Sequence, residues 1–402
     1  MQRRDLVKLL AAAPLAASAR VLAAPAAGNA KLLLVFLRGA YDCANVLVPT
    51  GSDFYYASRP SIAIARPGEP NGALALDGYW GLHPAMAPSL QPLYQGKQLA
   101  FIAFAGTDDL TRSHFETQDS IELGQALDKT RDYRSGFLNR LAAVLGAGPE
   151  AAVAPIAFTD QLPISMRGDA RVANMALGSV GRPAIDDRQS KVIQAMYSHT
   201  PLAGTVAEGF QVRDEVRQAV QAEMDAASRN AMSPKGFELV ARRMARLMQE
   251  RFDLGFVDVG GWDTHVGQGG ATGYLANRLE ELARGLNAFA SEMGDEGWRD
   301  TVVVVISEFG RTFRENGNRG TDHGHGTVYW VLGGGLSSQA GGKVLGEQVE
   351  VTQAKLFQNR DYPVLNEYRA VLGGLFRRMY GLSPAQLDRV FAGVAPKDLR
   401  LV

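Results

Sequence analysis

The sequence predicts an α/β fold, a mostly parallel sheet covered by helices on both faces, and three observations predict it. Its longest apolar runs are continuous rather than alternating, as in strands buried on both faces. Helical periodicities fall between those runs, and strands that alternate with helices build a covered sheet. No internal repeat, low-complexity tract or long linker divides the chain, so residues 28–402 read as one domain.

In chain order, residues 1–27 stand apart. "MQRRDLVKLL" opens with Arg3-Arg4, then an alanine-rich apolar stretch leads to small residues near Ala23 and Ala26. A charged start, a short apolar region and a small-residue end describe an export signal, with cleavage expected near 24–28. The paired arginines resemble a twin-arginine leader with Leu6 in place of the commoner Phe, which implies export of a folded protein to the periplasm or outside.

"KLLLVFLRGAYD" (31–42) is the first strand, followed by "QLAFIAFAG" (98–106), "FDLGFVDVGGWDTH" (252–265), "DTVVVVISEFGR" (300–311) and "TVYWVLGGG" (327–335). Helical patterns cover 115–127, 136–147, 185–199, about 202–228, 235–251, 273–294 and 364–379. The helix-rich stretch at about 180–250 is an insertion or a cap.

Composition narrows the function. Lys plus Arg and Asp plus Glu balance at 42 each, which gives no basic face for nucleic acid and no broad membrane-binding patch. The single cysteine, Cys43, excludes an internal disulfide framework and a multi-thiolate zinc site. G-x-S-x-G and H-E-x-x-H motifs are absent.

Four strands end in polar clusters: Arg38 and Asp42; Thr107, Asp108 and Asp109; Asp263 and His265; Glu308 and Arg311. In open α/β sheets ligands bind beyond the carboxyl ends of the strands, so these clusters can share a crevice; helix caps and salt bridges are the plainer use of such residues. In "GGWDTHVGQG", Asp263 and His265 lie two apart and face one side on extended backbone, as two ligands of one ion would. Glu308 is a ligand or a base, and Arg311 an oxyanion clamp or a salt-bridge partner. In "TRSHFETQD", Ser113 opens a helix with Glu116 three residues on, a capping-box spacing. A serine at a helix amino end also suits nucleophilic attack, with His114 beside it as ligand or acid–base group. "GTDHGHG" (320–326) places Asp322, His323 and His325 in a glycine-rich loop, one wall of a metal centre.

"LVFLRGAYDCANVLVP", "SHFETQD", "GGWDTH", "SEFGRTFRENGNRGTDHGHG" and "DYPVLNEYRAVLGGLF" together resemble the exported bacterial family called domain of unknown function 1501. The resemblance runs through nearly all of residues 28–402 and implies an alkaline phosphatase/sulfatase-like three-layer α/β/α sandwich with one or two divalent metal ions (Zn, Mn, Ca or Mg) at the strand ends. It implies Asp42, Asp263, His265, Glu308 and His323 or His325 as ligands and Ser113 as nucleophile, while Phe309 stands where that superfamily carries a histidine. The function expected is an exported, metal-dependent hydrolase of phosphate or sulfate esters on a small molecule or glycan, handled by the twin-arginine machinery, without nucleic acid or a stable membrane span. The alternative is a non-catalytic, metal-stabilised envelope protein of the same fold.

Overall fold

A computed structural model describes residues 29–147, 153–177, 187–211 and 236–402. The leader at 1–27 therefore lies outside the described residues, and so do parts of the helix-rich 180–250 stretch. The strands are β1 (Lys31–Leu37), β2 (Leu47–Val48), β3 (Leu74–Ala75), β4 (Gly81–Leu82), β5 (Leu99–Gly106), β6 (Pro155–Ala157), β7 (Ala173–Asn174), β8 (Leu254–Val259), β9 (Thr301–Ser307), β10 (Thr327–Leu332), β11 (Val344–Leu345) and β12 (Asn366–Glu367). The main sheet runs β11-β5-β10-β9-β1-β8-β6-β7, with β12 also beside β5.

β1 sits between β8 and β9 and pairs in parallel with both along its length. Only β10 opposes this direction, running antiparallel to β5 and to β9. The consequence for function is direct: the start of β10, not its end, lies at the carboxyl edge of its neighbours.

The continuous apolar runs are explained by two cores, one on each face. Leu33, Val35 and Leu37 of β1 enter one, while Leu32, Leu34 and Phe36 enter the other. The first core is closed by α2 (Ala87–Gln95), α6 (Phe237–Glu250) and α7 (Tyr274–Arg299), through residues such as Leu90, Met244 and Leu279. The second is closed by α4 (Phe137–Leu145), α8 (Tyr368–Tyr380) and α9 (Pro384–Val390), through Leu141, Phe376 and Leu387. The result is the three-layer α/β/α sandwich that was expected.

The remaining helices are α1 (Asp53–Ser58), α3 (His114–Leu123) and α5 (Asp187–Tyr197). Six of the helical patterns correspond to α3–α8; of the one at about 202–228, residues 203–211 are helical and the rest lies outside the described residues. Helices α1, α2 and α9 escaped the sequence reading. Pro88 and Pro92 lie within α2 and disguise it, and α1 and α9 are too short to show a full apolar stripe.

His83 gives a pH prediction. It is fully buried; its Nδ1 accepts from the Ala85 N–H at 3.1 Å and its Nε2 lies 3.1 Å from the Gly270 carbonyl, which can only accept. The ring is thus a neutral tautomer, and burial pushes its pKa down to about 4. A histidine disfavoured as a cation in the fold contributes stability above its unfolded pKa, and that stability is lost as pH falls from about 6.5 to about 4. Urea unfolding across this window should show a loss of roughly 3 kcal/mol that His83→Gln attenuates.

Candidate metal centre

The carboxyl edge of the sheet gathers side chains from four segments. Glu308 directly follows β9. The segment after β8 carries Asp263 and His265 across the end of β1, where Gly39 (φ 116°) leaves room: a Cβ there would lie 2.9 Å from the Asp263 nitrogen. Helix α3 begins at His114. The loop 320–326 comes from the amino end of β10 and lies antiparallel against 310–312: the Gly324 N–H donates to the Gly310 carbonyl at 2.8 Å, and Thr312 N–H to Asp322 at 2.8 Å. A Cβ on Gly324 would sit 2.5 Å from the Arg311 backbone, so backbone contact explains the glycines of "GTDHGHG".

Three imidazoles and one carboxylate converge there. His265 Nε2 lies 3.1 Å from His323 Nε2 and 3.0 Å from Asp263 Oδ1. His323 Nε2 is 3.5 Å from Asp263 Oδ1, and His114 Nε2 is 3.6 Å from Asp263 Oδ2. Each ring is held by its other nitrogen: His114 Nδ1 lies 2.7 Å from Glu308 Oε1, His265 Nδ1 3.0 Å from Asp322 Oδ1, and His323 Nδ1 2.9 Å from the Arg112 carbonyl. Phe309 stacks on His114 with ring centroids 4.9 Å apart and borders His323 at 5.3 Å. Burial pushes the His323 pKa below its ordinary value, against the pull of the Arg112 carbonyl, and favours the neutral ring.

This donor set fits a metal ion on observations of its own. Two carboxylates and a carbonyl can only accept, so each Nδ1 carries a proton and each ring turns its Nε2 toward the cluster. Carboxylate or carbonyl partners behind metal-binding histidines are the usual orienting arrangement. The His114 Nε2 atom is buried without a hydrogen-bond partner. Donors about 2.1 Å from one ion, at angles between square and tetrahedral, lie about 3.0–3.4 Å apart, and the four contacts among these side chains run from 3.0 to 3.6 Å. His114, Asp263 and His323 form a compact candidate ligand group, and His265 adjoins it. Among the described residues no second group of this kind forms.

Glu308 has a different place from the one expected. It is buried, its Oε1 accepts from Gly39 N–H, His114 Nδ1 and Gln118 Nε2 at 2.7–2.8 Å, and Ser307 Oγ lies 2.8 Å from its Oε2. Burial alone would raise its pKa, but these hydrogen bonds, His114 first, hold it below the usual value. It therefore orients His114 rather than facing an ion. Glu308→Gln should lower metal affinity roughly 10–100-fold, measured by competition with a chromophoric chelator.

Other expected residues also move. Asp42 is not part of the cluster; it is buried against Arg59, with Oδ1 3.0 Å from Nη2 and Oδ2 taken by Nη1 and by Gln268. His325 packs on Phe357, ring centroids 4.8 Å apart, because the chain bends after Gly324. Arg311 is buried and engaged, donating to Asp263 Oδ1 at 2.7 Å and to the Thr321 carbonyl at 2.8 Å, so it positions a carboxylate instead of clamping a free oxyanion. That contact and the Arg311 charge outweigh burial and lower the Asp263 pKa. Ser113 Oγ accepts from the Glu116 N–H at 3.5 Å; the Glu116 carboxylate lies near Arg131 instead, so the capping box is half made. Ser113 nevertheless lies between Arg112 and His114, both of which touch the cluster.

The sequence reading missed Gln118, Arg112 and Asn316. Gln118 was legible: four residues after His114 on one helix, it shares that face. Arg112 acts through its carbonyl, which no side-chain pattern marks, and Asn316 through its side-chain amide, which donates to Asp322 Oδ1 at 3.0 Å.

Residues 29–391 match the model of a family described as "Protein of unknown function (DUF1501)". No curated protein matches the chain. Among solved structures, the lipoteichoic acid synthase LtaP from Listeria monocytogenes overlaps 94% of this chain and 77% of its own at 9% identity and a TM-score of 0.40. Ps i-CgsB overlaps 89% of this chain and 74% of its own at 9% identity and 0.38, and its complex with k-i-k-neocarrahexaose 80% and 69% at 10% and 0.35. Identities and TM-scores this low assign no activity to the chain.

Proposed function

We propose that this chain, which belongs to the DUF1501 family, is a metal-dependent hydrolase of phosphate or sulfate esters borne by a small molecule or glycan. The convergence of three histidine Nε2 atoms on the Asp263 carboxylate carries this reading. His114, His265, His323 and Asp263 would hold the ion, and a bound cation supplies Lewis-acid polarisation of the ester oxygen. The chain's own residues supply position and a nucleophile. Arg311 fixes Asp263; Glu308, Asp322 and the Arg112 carbonyl fix the three rings. The first turn of α3 offers free backbone N–H groups and a positive dipole end to an anionic group.

Ser113 is the nucleophile in this reading. Its Oγ forms a bond to phosphorus or sulfur, the ester oxygen departs as an alcohol carrying the hydroxyl proton, and water then hydrolyses the seryl ester to restore Ser113 and release the inorganic anion. Aryl phosphates and aryl sulfates should be hydrolysed by protein prepared in its native host. Ser113→Ala should cut turnover by roughly three orders of magnitude with metal content unchanged. Unchanged turnover would remove Ser113 from the mechanism, and no hydrolysis of either class would leave a metal-stabilised binding protein as the reading.

Export in the folded state by the twin-arginine route, to the periplasm or outside, belongs to the same proposal. Arg3 and Arg4, outside the described residues, would address it. Among the described residues, no helix is long and apolar enough to cross a membrane. Lys in place of both arginines should retain the protein in the cytoplasm, as read by fractionation; continued export would contradict the route.

A further inference from the structure

We propose that His265 completes a mononuclear site of three imidazoles and one carboxylate, and that this site selects a borderline first-row transition ion of the Zn or Fe type over Mg and Ca. The inference rests on the reading of the cluster as a metal centre and adds the class of ion that it selects.

His265 stands in the same relation to its surroundings as the other two rings. Its Nδ1 faces Asp322 Oδ1, which also accepts from Asn316 Nδ2 at 3.0 Å. Its Nε2 lies 3.1 Å from His323 Nε2, near enough for both rings to share one ion. Asp263 Oδ1 stands beside both nitrogens, at 3.0 and 3.5 Å, and supplies the negative charge that such a cation needs.

The donors then decide the ion. Ca binds through six to eight oxygens, and Mg holds an octahedron of carboxylates, phosphates and waters. This cluster offers three nitrogens and one carboxylate, whose Oδ1 already accepts from Arg311. Neutral imidazole suits Zn, Fe, Cu and Ni, and affinity at nitrogen sites follows the order of those ions rather than the hardness scale that favours Mg and Ca. The rings and Asp263 remain partly exposed, His114 least at 19% and Asp263 most at 43%, so an ion here keeps a side open to ligand.

Cobalt(II) is the probe that reports ligands without turnover. The mature full-length protein, stripped with a chelator, should take up one Co(II) per chain, develop visible d–d absorption, release it to Zn(II) and ignore a large excess of Mg or Ca. His265→Ala should weaken Co(II) binding by more than tenfold and change the band shape. Asp322→Asn, which leaves the ligand in place but removes its orienting charge, should weaken binding roughly 10–100-fold with circular dichroism unchanged. Displacement of Co(II) by Mg or Ca, no Co(II) uptake, or unaltered affinity and spectrum in a folded His265→Ala protein would each overturn the inference. A protein that binds Co(II) this way and hydrolyses no ester keeps the site and loses the hydrolase reading.

Discussion

If the proposed metal centre is right, His323→Ala should remove the metal ion and His325→Ala should keep it, although the two positions are only two residues apart. His323 turns Nε2 toward Asp263 and His265, with its Nδ1 on the Arg112 carbonyl and its own carbonyl accepting from Arg360 at 2.7 Å. Losing a ligand should exceed the effect of losing a ligand's hydrogen-bond partner, so affinity falls at least about a hundredfold. His325 packs on Phe357 away from that convergence, and its loss is a packing defect of about 1–2 kcal/mol. Elemental analysis of the two purified variants, with thermal unfolding alongside, reads both outcomes. Metal loss in both, or in neither, would contradict the placement of these rings.

Asp42→Ala lowers stability by about 3–5 kcal/mol and leaves metal content intact. The reason is the buried Arg59 guanidinium, which is fully enclosed and donates to both Asp42 oxygens, to Asn45 Oδ1 at 3.0 Å and to the Phe313 carbonyl at 2.7 Å. Removing the carboxylate leaves a buried charge without its counter-ion, which costs far more than the pair itself contributes. Replacing both partners with apolar residues of similar volume, Asp42→Leu with Arg59→Met, should therefore recover much of the loss. Urea unfolding of the single and double variants measures this. A single variant as stable as the parent would contradict the buried ion pair, and one stripped of metal would restore Asp42 as a ligand.

The fold was legible because burial leaves a composition signal. A strand such as β9, "TVVVVIS", has no polar face to show, since helices cover it on both sides. The direction of β10 was not legible, because an apolar run reads the same whichever way it lies; pairing with β5 and β9 sets it. The site was legible as a set of motifs and less so as a set of roles. A carboxylate just after a strand looks alike whether it joins a histidine cluster, as Asp263 does, orients a histidine, as Glu308 does, or pairs with a buried arginine, as Asp42 does. What separates them is the third residue, Arg311, His114 or Arg59, and those contacts span 48, 194 and 17 positions. Alternation likewise misleads in "DHGH", where the bend after Gly324 sends His325 away from the side His323 faces.

X-ray absorption at the metal edge of protein isolated from its native host tests the central claim most directly. Three imidazole nitrogens and one carboxylate oxygen around a single ion predict a nitrogen-dominated first shell at about 2.0–2.1 Å with the outer-shell scattering of histidine rings. An all-oxygen shell, or a spectrum without the imidazole pattern, would contradict it.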